Sequence, residues 1–412
     1  MAVTGSITTR FIDEKGVDLG KTLIEKDYLI SVYPNIVNQM DTPMLMTWGR
    51  GIEGQLGDNT LVRKSSPVQT IAYGANWKQI SAGNNICAGI KTDGTLWLWG
   101  YNNQGQLGDN TIISKSSPIQ TVAGGTNWKQ VFAKGVSTTT GYVAAIKTDG
   151  TLWCWGNNSY GQLGDNTITN RSSPVQTVAF GTNWKQVSCG GTGSYSNTAA
   201  VKSDGTLWCW GDNVNGQLGD NTAGNKRSSP VQTIAFGTNW MQVACGNLCT
   251  AGIKTDGTLW IWGNGGNGQL GDNTILAKSS PVQTVAGGTN WKSVDGGDNS
   301  SFWSAIKTDG TLWSWGLGTS GQLGDNTAVS KSSPVQTIAN GTNWKQVSAG
   351  GANTAAIKTD GTLWTWGNGT SGQLGDNTIV SKSSPVQTIL YGNNWKQVSA
   401  ALATAAIKDG DF

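Results

Sequence analysis

One pattern, WGxxxxGQLGDNT, occurs seven times in this chain of 412 residues, beginning at Trp48, Trp99, Trp155, Trp210, Trp262, Trp315 and Trp366. Successive starts lie 51, 56, 55, 52, 53 and 51 residues apart. Self-similarity at such a period confines the fold to an array of like units, each burying its apolar face only against its neighbours.

Near the C-terminal end a unit can be read strand by strand. SSPVQTI begins at Ser383, NNWKQVSA at Asn393 and TAAIK at Thr404; the preceding unit supplies TAAIKTDGTLWTWG from Thr354 to Gly367. The Asp360-Gly361 pair between two apolar runs predicts a tight hairpin with positive φ at both turn residues. In TLWTWG, Trp364 and Trp366 share one face and Leu363 and Thr365 the other, the two-residue period of a strand. Pro at the start of each SSPVQT stretch fits an outer strand or the first position of a strand, where no ladder donor is needed. A unit is thus four short strands, PVQTI, WKQVS, TAAIK and TLWxWG. Seven such units predict an all-β fold, a seven-bladed β-propeller.

The chain ends at TAAIKDGDF, without a seventh TLWxWG strand; DTPMLMTWG, residues 41–49, supplies one. Met44 aligns with Thr, Leu45 with Leu, and Met46 and Trp48 with the two Trp. Leu45 and Trp48 are therefore expected to close the last blade against Ala406 and Ile407, which removes the open edges of a linear array. The expected organisation is a propeller over 41–412 and a separate non-repeat arm over 1–40.

Charged residues are only 13% of the chain, while Gly numbers 59 and Trp 21. That balance suits a tight all-β array and opposes disorder. A net charge of +3 gives no reason to expect nucleic acid or an anionic membrane as partner. No run approaches the length of a membrane helix, and MAVTGSITTRFIDEKG lacks the apolar core of a secretory signal; synthesis and folding in a cytoplasm are expected.

Chemistry has little footing. There is no histidine, so the ordinary Ser–His and Cys–His nucleophile pairs are excluded. No phosphate-binding or dinucleotide fingerprint occurs. Of the six cysteines, Cys154 and Cys209 share one slot of successive units and Cys189 and Cys245 another, a spacing that predicts free, buried thiols. Cys245 and Cys249 lack the partners to complete a zinc site. No catalytic residue, cofactor or metal is expected, and the chain is read as non-enzymatic.

The pattern WGxNxxGQLGDN, followed by SSPVxT and VSAGxxxTAAIKTDGTLW, resembles the repeat of the regulator of chromosome condensation family, over residues 41 to 412. The resemblance implies a seven-bladed propeller. It also implies, for the member that names the family, guanine-nucleotide exchange on a small nuclear GTPase through one face and an inserted hairpin wedge. This chain departs from that pattern. Its largest excess is a few residues, in VFAKGVSTTTGYVAAI and VSCGGTGSYSNTAAV; the family's usual histidine after VSAG is replaced by Ile86, Cys249 or Asn353; and no basic tail is present.

Each recurrent motif carries a structural reading beside a functional one. The GDN aspartates (Asp58, Asp109, Asp165, Asp220, Asp272, Asp325, Asp376) could ring a face and bind calcium, but Asp in GDNT is foremost a turn-former. Lysines recur in KTDG and its variants (Lys91, Lys147, Lys202, Lys254, Lys307, Lys358, Lys408) and in NWKQ or NWKS (Lys78, Lys129, Lys185, Lys292, Lys345, Lys396, with Met241 as exception). A third slot precedes SSP (Lys64, Lys115, Arg171, Arg227, Lys278, Lys331, Lys382). Such rings could hold an anionic polymer such as a surface glycan; the preferred reading is a solvated rim. Regular spacing places nearly every Trp in the core. The irregular stretch around Phe302 and Trp303 is where exposed aromatics, and hence a surface contact, are expected.

The first forty residues differ in character. ITTRFID predicts a strand, and Leu23, Ile24, Tyr28, Leu29 and Ile30 in KTLIEKDYLISVYP predict a short helix ending before Pro34. TTRFIDEKGVDLG and KDYLISVYPNI resemble the starts of virion proteins of tailed phages, especially those infecting cyanobacteria. That resemblance implies a virion component. Its arm, through Arg10, Phe11, Tyr28, Leu29 and Tyr33, would anchor in the particle on other virion or scaffold proteins. The propeller would be displayed toward a host-surface glycan or protein; a homo-oligomer follows if the arm threads into a neighbouring subunit. Two alternatives stand beside it: a GTPase-binding or exchange propeller, and a glycan-binding lectin.

Overall fold

The computed structural model describes residues 6–12, 18–25 and 43–409, except 72–75, 138–139, 179–180, 193–194, 235–236, 298–300, 339–340 and 391. Seven four-stranded antiparallel sheets follow one another around a ring. Blades are numbered here from the one whose strands are Trp77–Ala82, Ile86–Lys91, Leu96–Gly100 and Lys115–Gln120, from innermost to outermost. Blade 7 joins Trp395–Ser399 and Ala403–Lys408 to Met44–Gly49 and Lys64–Gln69. Leu45 pairs with Ile407, Met46 with Ala406 and Trp48 with Thr404.

Strand phasing within the unit differs from the sequence reading. The KSSPVQ strand does not open a blade; it closes the preceding one. Trp97 pairs with Gln120 and Gly100 with Lys115, because the GQLGDNT loop folds the chain back onto the strand it has just left. Blade 7 consequently takes two strands from the N-terminal side, where one was expected. Pro67 and its equivalents occupy the edge strand, where their missing N–H costs nothing.

The hairpin turn also differs. In Lys358-Thr359-Asp360-Gly361 only Gly361 takes a positive φ, +82°. Gly361 N–H donates to the Lys358 carbonyl and Lys358 N–H to the Thr362 carbonyl, which is a type I turn followed by a left-handed glycine. Asp360 is held out of the positive region because its carboxylate accepts from the Thr362 amide and hydroxyl, at 3.0 and 2.7 Å.

Apolar surface is buried between blades. The seam between blades 1 and 2 gathers Ile86, Ile90, Leu96 and Leu98 against Trp128, Val131, Val143 and Trp155. In every blade the innermost-strand Trp meets the WG Trp edge-on or tilted, as in Trp77–Trp99 at 5.9 Å and Trp48–Trp395 at 6.1 Å. Each WG indole donates to a Gln carbonyl of the loop from the blade before: Trp99 Nε1 to Gln55 at 2.9 Å, Trp155 to Gln106 at 2.9 Å. Gly57 is required at that seam, since a Cβ on it would lie 2.8 Å from Trp99 Nε1, and its φ is +66°.

Phe302 and Trp303 are not surface residues. They are 1% and 0% exposed, within the second strand of blade 5, Phe302–Lys307. Trp303 packs with Trp315, Cys249 and Ala244; the room comes from Gly246 and Gly296, whose hypothetical Cβ atoms would approach its ring to 3.1 and 2.6 Å. Phe302 is enclosed with Leu323 and Ala349. All six cysteines are buried.

In the arm, Ser6–Ile12 pairs antiparallel with Asp18–Glu25 in a two-stranded sheet of its own. Arg10 and Phe11 lie on the first strand. The second strand replaces the start of the expected helix: Leu23 and Ile24 pair with Thr8 and Ile7, because Ser6–Ile12 offers them a complementary strand. Tyr28, Leu29, Ile30 and Tyr33 fall outside the described residues.

Candidate functional site

The innermost strands line an axial channel, and their repeated Trp-Lys-Gln-Val-Ser sequence assigns each side chain a task. The Gln side chain spans the seam to the next blade and bonds both ways with a backbone Val. Gln79 Nε2 donates to the Val131 carbonyl at 3.0 Å while its Oε1 accepts from the Val131 amide at 3.0 Å. Gln186 with Val243, Gln242 with Val294 and Gln346 with Val398 repeat the clamp, and Gln397 with Ile80 makes it across the closure. In blade 5 the position is Ser293. Two residues on, Ser81, Ser188, Ser348 and Ser399 accept from the amide of the next blade. Asp295 replaces the serine in blade 5, its carboxylate accepting from the Ala349 amide at 3.0 Å.

The lysine slots separate once the strands are placed. Lysines of KTDG end the second strand and lie over two indoles, as Lys91 does at 5.3 Å from Trp77 and 4.5 Å from Trp97. They are half-buried stacking groups rather than a free rim. Lysines of NWKQ start the innermost strand and are exposed at one channel mouth. Lys78, Lys129, Lys185 and Lys396 share a cavity there of about 590 Å³.

The third basic slot is on the opposite face, where it serves the GDN loops. Arg171 reaches Asp165 at 2.7 Å, Arg227 reaches Asp220 at 3.2 Å and Lys331 reaches Asp325 at 3.5 Å. Burial alone would raise the Asp165 pKa, but hydrogen bonds from Thr167, Arg171 and Asn158 outweigh it and hold the carboxyl low. The loop aspartates are spent on turns: Asp58 accepts from the Thr60 amide and hydroxyl at 3.0 and 2.7 Å. Among the described residues no three His, Cys, Asp or Glu side chains gather in one place.

This loop face carries the departure from sevenfold symmetry. Two neighbouring hairpins are longer than the rest, Trp128–Ser137 with Thr140–Lys147 in blade 2 and Trp184–Thr192 with Tyr195–Lys202 in blade 3. Buried Tyr142 ties them together: its hydroxyl donates to the Asn197 carbonyl at 2.5 Å and accepts from the Gly190 amide at 3.1 Å. At the start of the second strand of the blade 3 hairpin Tyr195, 46% exposed, meets Tyr160 in a tilted contact, ring centroids 5.3 Å apart, and the Lys226 ammonium lies 5.4 Å from the Tyr160 ring. Buried Asp212 completes the group, its pKa raised chiefly by burial despite hydrogen bonds from Val214 and Gln217. Around the same face exposed apolar residues recur at the loop tips: Leu61, Ile112, Ile168, Ile275, Val329 and Ile379. Blade 3 interrupts that series with Ala223-Gly224-Asn225-Lys226. Sequence reasoning did not single out Tyr160 or Tyr195; both are outliers at their unit positions, and comparing the seven units slot by slot would have exposed them.

The repeat of the regulator of chromosome condensation (RCC1) matches residues 45–90, 93–137, 149–195, 204–253, 256–303, 309–357 and 360–402. The chain belongs to that family. Ultraviolet-B receptor UVR8 of Arabidopsis thaliana is 31% identical over 351 residues, 83% of this chain and 77% of UVR8. The mitochondrial RCC1 domain-containing protein RUG3 of the same plant is 26% identical over 380 residues, 83% of this chain and 81% of RUG3. Prp20p of Saccharomyces cerevisiae, a protein with binding properties to Gsp1p and histones, superposes with a TM-score of 0.78 at 17% identity, over 90% of this chain and 92% of Prp20p. That last likeness is one of fold. Within this RCC1 propeller the channel mouth and the blade 2–3 sector are the two candidate sites.

Proposed function

We propose that this RCC1 propeller is a non-catalytic protein-binding module whose partner docks on the loop face over blades 2 and 3. The observation that carries the reading is the Tyr160–Tyr195 pair at the two lengthened hairpins. A ring of near-identical blades offers a protein no unique orientation, and this sector supplies one. An exposed tyrosine in tilted contact with a half-buried one, with a neighbouring cation and a surrounding apolar rim, has the make-up of an interface hot spot. Support from relatives is of the same kind, since Prp20p binds Gsp1p and histones; a small GTPase is the first candidate to test.

The experiment places a photo-crosslinking amino acid at Tyr195 or, as control, at Lys278 in blade 4. A discrete adduct from position 195, lost in a Tyr160→Ala background, is expected. Equal adducts from both positions, or none from 195, overturn the docking face. Purified GTPase with labelled nucleotide then reports exchange directly.

Attachment to a virion through residues 1–40 is a second proposal. It rests on the arm's own sequence and on a hairpin that adds no strand to any blade. Sedimentation of the native assembly with and without residues 1–40 tests it: co-sedimentation with a large particle only when the arm is present supports it, and free monomer in both cases removes it.

A further inference from the structure

The channel mouth opposite the docking face has a charge arrangement that the protein-binding reading does not use. Lys78, Lys129, Lys185, Lys292, Lys345 and Lys396 each follow the first residue of an innermost strand, so sequence repetition becomes a collar around the axis. All six are exposed. Lys396 pairs with Asp409 at 2.8 Å; among the described residues no carboxylate pairs with the other five. Directly beneath the collar the Gln amides are engaged by backbone groups of the next blade, and the other charged groups of the innermost strands, Lys134 and Asp295, lie deeper. The nearest channel carboxylate, Asp295, lies three residues beyond Lys292, roughly 10 Å along the strand.

Placing like charges in a ring is unfavourable unless something of opposite sign sits at its centre. The same end of the molecule restricts what that can be. The KTDG hairpins lie farther from the axis and carry exposed Asp93, Asp149, Asp204, Asp256, Asp309 and Asp360. Hydrogen bonds from Thr95 to the Asp93 carboxylate lower its pKa, and its equivalents share the arrangement, so the exposed groups of this outer ring are charged carboxylates, with the KTDG lysines half-buried beneath them on the indoles. An extended polyanion lying across the face would cross it. A compact one on the axis would not.

We propose that the collar binds one compact, multivalent oligophosphate on the propeller axis, independently of the protein-docking face. Several ammoniums would share its oxygens through charge-assisted hydrogen bonds. Met241, at the blade 4 position, leaves one gap in the collar.

The test is calorimetry on the full chain at low ionic strength with inorganic tripolyphosphate. Orthophosphate, adenosine triphosphate and a polyglutamate peptide are the comparison arms. One tripolyphosphate per chain is expected, weakening steeply with salt. Lys129→Gln with Lys185→Gln should weaken it by about tenfold or more, while Met241→Lys and Asp409→Asn should each tighten it by about threefold. Equal binding of adenosine triphosphate identifies the oligophosphate group itself as the recognised part; tighter binding adds a nucleoside contact. The proposal is overturned by absence of saturable binding or by more than one tripolyphosphate per chain. It also fails if orthophosphate or polyglutamate binds as tightly, or if Lys115→Gln with Lys278→Gln on the opposite face causes an equal loss. The substituted lysines and Asp409 are at least partly solvent-accessible, Met241 is partly buried against the blade 4–5 core, and an unchanged melting temperature verifies the fold of each variant.

Discussion

The indole nitrogen of Trp48 donates to the backbone carbonyl of Gln373, 325 residues away, at 3.0 Å. It is the same bond that Trp99 makes to Gln55 and Trp366 to Gln322, so the seam where the two ends of the chain meet has the chemistry of the internal seams. Trp48→Phe should cost about 0.5–1.5 kcal/mol for the lost hydrogen bond, because the Thr404 hydroxyl still donates to the Gln373 carbonyl at 3.0 Å, and Trp366→Phe, where the Thr354 hydroxyl holds the Gln322 carbonyl in the same way, should cost the same. Urea denaturation of the two variants checks this. A Trp48 variant much weaker than its internal counterpart would mean that the closing blade is a separate, softer element.

Trp303 is a core residue, and replacing it should behave accordingly. Trp303→Ala should destabilise by about 3–5 kcal/mol through the cavity it leaves. Gly296→Ala should also destabilise, because a methyl group would meet the ring. Tyr195→Ala, by contrast, should leave the denaturation midpoint nearly unchanged. Thermal and chemical unfolding of the three variants separate the buried aromatic from the exposed one.

Ser293 interrupts the glutamine clamps around the channel, leaving the seam between blades 5 and 6 without one. Ser293→Gln should restore a two-way bond to the Val347 backbone and stabilise the ring by about 0.5–1.5 kcal/mol. An unchanged or lowered midpoint would show that Asp295 and its bond to Ala349 already hold this seam in a geometry the clamp cannot enter.

Asp212 offers a pH-dependent test. Its raised pKa means that the folded chain holds this proton more tightly than the unfolded chain does. The sign follows: its effect on stability is most favourable below the unfolded carboxylate range and declines as pH rises through the raised folded value. Asn157 occupies the equivalent place in blade 2 and accepts from Gln162 as Asp212 does from Gln217. Asp212→Asn should therefore raise the melting temperature near neutral pH and leave it unchanged in acid. Melting curves across that range decide it, and an equal shift at every pH would contradict the assignment.

Much of the ring was legible because the repeat is so regular. A period near fifty residues, Pro at the edge strand and Trp at alternate positions each point to one place in a blade, and Leu45 and Trp48 could be aligned with their equivalents by eye. Strand phasing was not legible, since KSSPVQ could pair with the strand before it or after it, and only the folded GQLGDNT loop decides. Trp303 misled because an irregular local sequence was read as an irregular surface. The space it fills is made by Gly246 and Gly296, one of them in the neighbouring blade. The channel collar was visible as a set of lysines, but their common direction depends on which strand is innermost.

Blade 7 also sets a clock. Met44–Gly49 and Lys64–Gln69 leave the ribosome before the other six blades, and their partner Ala403–Lys408 leaves after all of them. At ordinary elongation rates the interval is roughly 15–65 s. Throughout it the first propeller hairpin waits with one strand edge uncovered while six blades are laid down beside it. A nascent chain of this design thus depends on whatever shields that edge in the interim, and slower translation would lengthen its exposure in direct proportion.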